Sequence, residues 1–208
     1  DWGMGNAAEF IGKQLEVSRE DMDEFAYNSH MKAARATEAG KFKTEIAPVT
    51  VKTRKGETEI STDEEPGRIN VDKIPDLRPA FAKDGTITAA TSSKISDGAA
   101  AVVLMPETAA SRHGIQPIAR IVGHASHSQE PEWFTTAPVG AMRKVLEHAG
   151  WSASDVDLWE INEAFATVTM AAMSELELAH GKVNIHGGAC ALGHPIGCSG
   201  ARIVVTLL

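Results

Sequence analysis

Apolar positions along the chain follow two regimes, helical spacing near the start and an alternation of short apolar runs with helical segments later. Ala7, Ala8, Ile11 and Leu15 share one side of a helix over about 6–15. Ser18 with Asp21 three residues on reads as a capping box, and Met22, Phe25, Ala26, Ala33 and Ala36 continue at helical spacing until Gly40 ends the run. The spacing predicts a packed helix pair. Beyond Gly40 the pattern changes to Ile46, Val49 and Val51, then Thr58 and Ile60, which predicts two strands around the turn Arg54-Lys55-Gly56. Residues 61–78 are charged and broken by Pro66, Gly67 and Pro75, a loop long enough to be functional or to wrap another surface.

Asp84-Gly85 marks a further turn, followed by a stretch of small and hydroxylated residues from Thr86 to Gly98. Ala99 to Met105 is a continuous small and apolar run, the pattern of a strand buried on both faces, and Pro106 starts the helix after it. Composition shifts near Gly114. From there the order reads strand (118–122), helix (138–149), strand (156–161), helix (163–179), strand (183–185), a glycine-rich loop, and a last apolar helix from Ala201. Such alternation predicts an α/β protein with helices layered on a sheet, and in such sheets ligands bind beyond the strand ends, in the loops that lead into helices.

The glycine loop runs from Gly187 to Arg202, and its glycines surround His194. Glycine at this density lets the backbone turn through left-handed conformations and approach a ligand, while His194 can move a proton near neutral pH. Pro195 holds it in extended backbone. The second such place is Asn162-Glu163-Ala164-Phe165-Ala166, after the run Leu158-Trp159-Glu160-Ile161. Asn162 reads equally well as the N-cap of the following helix and as an active-site amide.

Composition narrows the function classes. The 208 residues carry a formal charge of -8, which argues against nucleic acid as the main partner. No apolar run approaches the roughly 18–20 residues that span a bilayer, so no membrane partner is expected. Only Cys190 and Cys198 occur, with no CxxC pair, a usage that favours a reducing compartment and hence the cytoplasm. Asp1-Trp2-Gly3-Met4 lacks an initiator Met and a leader, and the last helix lacks a stop signal, so the chain is expected to begin and end within a longer protein.

Three stretches together resemble the thiolase family. Asn184 to Arg202 is similar to its glycine signature, Asn162 to Ala166 to its Asn-Glu-Ala-Phe-Ala element, and Ser93 to Ala101 to the segment that leaves the family's loop domain. Their order and separations agree with the family, and Met4-Gly5 through Lys41-Phe42 resembles the start of the loop domain. The resemblance implies a partial, layered αβα thiolase-like fold with an α+β loop domain. It divides the chain into a CoA-binding loop domain (1–90), a strand and helix returning to the N-terminal domain (91–114), and an incomplete C-terminal domain (115–208).

The family condenses two acyl-CoA molecules, or splits a 3-oxoacyl-CoA, through an acyl-enzyme on cysteine. His194 is then expected to activate that cysteine and donate to the thioester oxygen, and Asn162 to hold the water that completes the oxyanion site. Ser93 would touch the pantetheine arm of CoA. Arg68 would meet the nucleotide, at a slightly shorter spacing than the family's, with a solvated loop arginine as the alternative. Met4, Phe81, Ala89 and Phe165 would line the pantetheine tunnel, or simply pack. The CoA thioester is substrate, no cofactor is expected to be bound permanently, and the intact protein is expected to be a homodimer or homotetramer active in fatty acid metabolism.

Two departures qualify the resemblance. The family's nucleophilic cysteine and its second, proton-moving cysteine in a Cys-x-Gly-Gly setting have no counterpart here, and Cys190 and Cys198 stand where small residues usually pack. Trp2-Gly3 stands where many short-chain members carry a histidine. The chain alone is therefore expected to be inactive, with a non-catalytic CoA-ester binding protein as the alternative reading.

Overall fold

The computed structural model describes residues 2–208. Helix α1 (Met4–Gln14) buries Ala7, Ala8 and Ile11 and leads into the long helix α2 (Arg19–Glu38). Ser18 caps α2 by accepting the Asp21 N–H at 3.0 Å, an interaction typically contributing about 1 kcal/mol. Strands β1 (Val49–Thr53) and β2 (Gly56–Ile60) form the expected antiparallel hairpin, with Val49 opposite Ile60 and both strands exposed throughout. The charged loop after it contains two 3-10 turns, Glu65–Gly67 and Val71–Asp76, and the second seats Ile74 against Ala26 and Ala90.

Helices α3 (Glu107–His113), α4 (Ala137–Ala149), α5 (Ala166–Glu175), α6 (Ala189–Leu192) and α7 (Ile196–Leu207) follow. Helix α2 joins them. Its Met22 and Phe25 pack with Ala8 of α1, with Ile87, and with Phe165, Ala166 and Val168 at the start of α5. Farther along, its Ala33 and Ala36 meet Phe42, Ala191 and Leu192. Ile11, Met22 and Ile87 are fully buried, each stabilising the fold by roughly 1.5–3 kcal/mol relative to exposure. One buried carboxylate holds the remaining wall, since Glu9 accepts the N–H groups of Thr86 and Ile87 and so fixes the segment that ends at Ala89.

Several expected strands do not form ladders. Residues 99–105 form no strand, with Val103 86% and Leu104 69% exposed, which contradicts burial on both faces. Residues 118–122 behave alike, and Ile118 is 83% exposed. An apolar run becomes a central strand only when neighbours pair with both its edges, and the described residues supply none here. The runs at 156–161 and 183–185 meet through one parallel bridge, Trp159 with Val183. Helix α5 begins at Ala166 with Phe165 as its N-cap, so Asn162 is not a cap. The last helix starts at Ile196, five residues before the expected Ala201, where the Pro195 carbonyl accepts the Cys198 and Ser199 N–H groups, and α6 interrupts the predicted glycine loop. Among the described residues no helix is long and apolar enough to cross a membrane.

Candidate active site

The Trp159–Val183 bridge is the last backbone rung between two segments that then diverge, and an asparagine side chain takes over the pairing. Asn184, at φ 43°, accepts the Ile161 N–H through Oδ1 and donates Nδ2–H to the Ile161 carbonyl, both at 2.8 Å. Asn tolerates this left-handed backbone better than most residues. Ile161 is therefore held on both its polar groups, and the next residue, Asn162, is delivered freed from helical geometry.

The glycine loop approaches from the other side. Gly193, at φ 97°, passes so close to Ser96 that a Cβ there would lie 2.1 Å from Oγ. The close pass lets the His194 N–H donate to the Lys94 carbonyl at 3.0 Å. The imidazole lies between two partners, Ser199 Oγ at 2.6 Å from Nδ1 and Asn162 Nδ2 at 3.5 Å from Nε2. The Ser199 hydroxyl also reaches the Pro195 carbonyl at 3.2 Å, an acceptor only, so its proton goes there and its oxygen accepts Nδ1–H. This network assigns the tautomer: Nε2 carries the lone pair and faces Asn162. Burial, and then the Arg202 guanidinium, hold the His194 pKa below the ordinary histidine value, so the ring is neutral at pH 7. Asn162 Oδ1 is buried without a partner in this site.

The other expected residues divide into a group and an outlier. Ser92 pairs with Phe165, the Ser93 N–H donates to the Ala164 carbonyl at 3.1 Å, and the Ala166 N–H donates to Thr91, so residues 91–93 line up beside 164–166. Phe81 stands edge-on to Phe165 at 5.8 Å, and it also covers Gly5, next to Met4. Phe165 is buried in the core, whereas Met4, Phe81 and Ala89 are exposed and Ser93 is half-buried. Arg68 lies apart, paired with Glu64 at 2.7 Å and Glu65 at 2.8 Å. Both cysteines are buried, and burial followed by the Glu163 charge raises the Cys190 thiol well above its usual value. Such a thiol is a poor nucleophile. A 290 Å³ cavity at the C-terminal end of α7 is lined by Glu45, Glu160 and Leu207 among others, and includes neither His194 nor Asn162.

Two residues at the site escape a pattern reading. Ser199 sits in a helix-forming run where nothing marks its partner. Glu163 is 1% exposed and accepts from Ser29 at 2.7 Å, Asn184 at 2.8 Å and the Cys190 N–H at 3.1 Å. Its one sequence signal is a carboxylate placed between Asn162 and the apolar run Ala164-Phe165-Ala166.

The model of the thiolase N-terminal domain matches residues 1–108, and that of the thiolase C-terminal domain matches residues 115–208. An acetyl-CoA acetyltransferase of Paracoccus denitrificans is 47% identical over 209 aligned positions, covering all of this chain and 54% of that protein. A probable acetyl-CoA acyltransferase of Staphylococcus aureus is 48% identical, covering 99% of this chain and 53% of its own length. The crystal structure of the Bacillus anthracis acetyl-CoA acetyltransferase superposes with a TM-score of 0.95 at 47% identity, covering 98% of this chain and 52% of that one. The chain thus spans about half the length of the relatives it matches.

Proposed function

Because the chain belongs to the thiolase family, we propose that the full-length protein carrying it is an acyl-CoA C-acyltransferase that condenses two acetyl-CoA to acetoacetyl-CoA, or runs the reverse thiolysis of a 3-ketoacyl-CoA. The observation that carries this reading is the approach of His194 Nε2 to Asn162 Nδ2 across two loops separated by 32 residues. The lone pair on Nε2 is placed to take the proton of a cysteine thiol, whose ordinary pKa near 8.5 leaves it mostly unreactive at neutral pH. Once protonated, the same Nε2–H can donate to the thioester oxygen as it gains charge. Asn162 would hold a water as a second donor there, and preorganised donors of this kind typically contribute about 3 kcal/mol each to the barrier.

In this reading residues 1–90 form the loop domain that binds CoA, 91–114 return the chain to the N-terminal domain, and 115–208 form the C-terminal domain. Ser93 touches the pantetheine arm, while Met4, Phe81, Ala89 and Phe165 wall the tunnel. Arg68 meets the nucleotide phosphate only by leaving Glu64 and Glu65, which makes it the weakest member of the set. Both acyl-transferring cysteines lie elsewhere in the full-length protein, because Cys190 and Cys198 are buried packing residues. The 208-residue chain alone is therefore inactive. The protein is cytoplasmic and homo-oligomeric, and serves fatty acid metabolism. Assay of the full-length protein for thiolysis of acetoacetyl-CoA tests the reading. Turnover supports it; saturable CoA-ester binding without turnover overturns it in favour of a non-catalytic binding protein.

A further inference from the structure

The chemistry proposed for Asn162 and His194 depends on two loops meeting correctly, and no backbone hydrogen bond joins residues 162–163 to residues 188–194. Behind them lies the Glu163 carboxylate. Oε1 accepts from Asn184 Nδ2, the same amide group that holds Ile161, so it fixes the strand end that delivers Asn162. Oε2 accepts the Cys190 N–H directly and the Ser29 hydroxyl, and Ser29 Oγ in turn accepts the Gly188 N–H at 3.0 Å. One carboxylate thereby ties α2, the Asn184 segment and the entry of the loop that carries His194.

The surroundings are shaped around it. A Cβ at Gly188 would lie 2.2 Å from the Glu163 carboxyl carbon, so only glycine admits the carboxylate at this depth. Each of its three hydrogen-bond partners is a donor, which suits the acceptor-only ionised form. Burial raises the Glu163 pKa, and the three donors, then the charge of Lys32, which itself donates to the His180 and Val183 carbonyls, oppose that rise. A buried charge costs several kcal/mol to desolvate, and buried apolar packing is generally at least as stabilising. Stability alone gives no reason for a glutamate here.

Resting on the acyltransferase reading above, we propose that Glu163 is a positioning residue for the reaction, holding Asn162 and His194 at their working separation by bonding both loops from behind. It touches no substrate. Glu163→Gln keeps the shape but turns an N–H toward a donor, so at least one of the three bonds is lost and the loops shift relative to each other.

The test compares Glu163→Gln, Ser29→Ala and His194→Ala in the full-length protein, using acetoacetyl-CoA thiolysis. Glu163→Gln is expected to lower kcat roughly 10- to 100-fold with KM within about twofold, since small misplacements of reacting groups carry penalties of this order. Ser29→Ala, which removes one donor to the carboxylate and the acceptor for Gly188, is expected to lower kcat less and in the same pattern. The double variant is expected to fall less than the product of the two. Wild-type kcat in a folded Glu163→Gln, or a raised KM at unchanged kcat, overturns the proposal. If Glu163→Gln does not fold, Ser29→Ala decides alone, with wild-type kcat as the contrary result; failure of both to fold assigns the carboxylate a structural role and also overturns it. His194→Ala separates the two claims: if it retains full turnover the acyltransferase reading fails, whatever Glu163 does.

Discussion

His194 and Ser199 face each other at 2.6 Å, Nδ1 against Oγ, one turn into the approach of α7. This contact decides which nitrogen of the ring is basic. With Nδ1–H given to Ser199, the lone pair is left on Nε2, the nitrogen that faces Asn162.

Ser199→Ala in the full-length protein should therefore lower kcat more than it raises KM. A hydrogen bond to a group that becomes charged contributes about 1.5–3 kcal/mol, equivalent to a fall of roughly 10- to 100-fold. Steady-state thiolysis kinetics check this. An unchanged kcat would mean the ring is oriented by other contacts.

Acidity of His194 sets the pH dependence. Burial, then Arg202, lowers its pKa below the ordinary value of 6.5, and the proposed reaction uses the neutral ring as its base. Lowering the pH through that depressed pKa protonates it and removes activity. The acid limb of kcat/KM against pH is thus expected below about 6.5, with a level profile across neutrality. A limb above that value would contradict the assignment of His194 as the base.

Glu160 provides a second pH-sensitive group, outside the site. Burial is the main cause that raises its carboxyl from 4.5 to about 7, against the opposing charge of Arg202, and its Oε2 is buried without a partner. The folded state then holds a proton that the unfolded state releases, so this group's contribution is full at low pH and is lost as pH rises through about 7. Glu160→Gln should be more stable than the native protein above about pH 8, by up to about 3 kcal/mol, and indistinguishable below about pH 4. Denaturant unfolding of the full-length protein at both pH values measures the difference; equal stability at high pH would refute it.

Local signals made one part of the fold legible and left another unread. Ser18 and Gly40 bracket α2, and Arg54-Lys55-Gly56 turns the hairpin, because capping and turn chemistry act within a few residues. The runs at 99–105 and 118–122 carry strand composition, yet a sheet is completed by partners distant in sequence, and composition does not show whether they are at hand. His194 stood out by its glycines. Asn162 stood out by its place after an apolar run, although its supposed cap role passed to Phe165. Glu163 and Ser199 did not stand out, since their roles lie in hydrogen bonds to Ser29, Asn184 and the His194 ring that no spacing rule encodes.

The most direct measurement is the intact mass of the full-length protein after brief exposure to acetyl-CoA, native against His194→Ala. The native protein should gain an acetyl group on a cysteine outside this 208-residue sequence, and His194→Ala should gain none on the same timescale. An adduct on Cys190 or Cys198, or one that forms equally fast without the imidazole, would contradict the role given to His194.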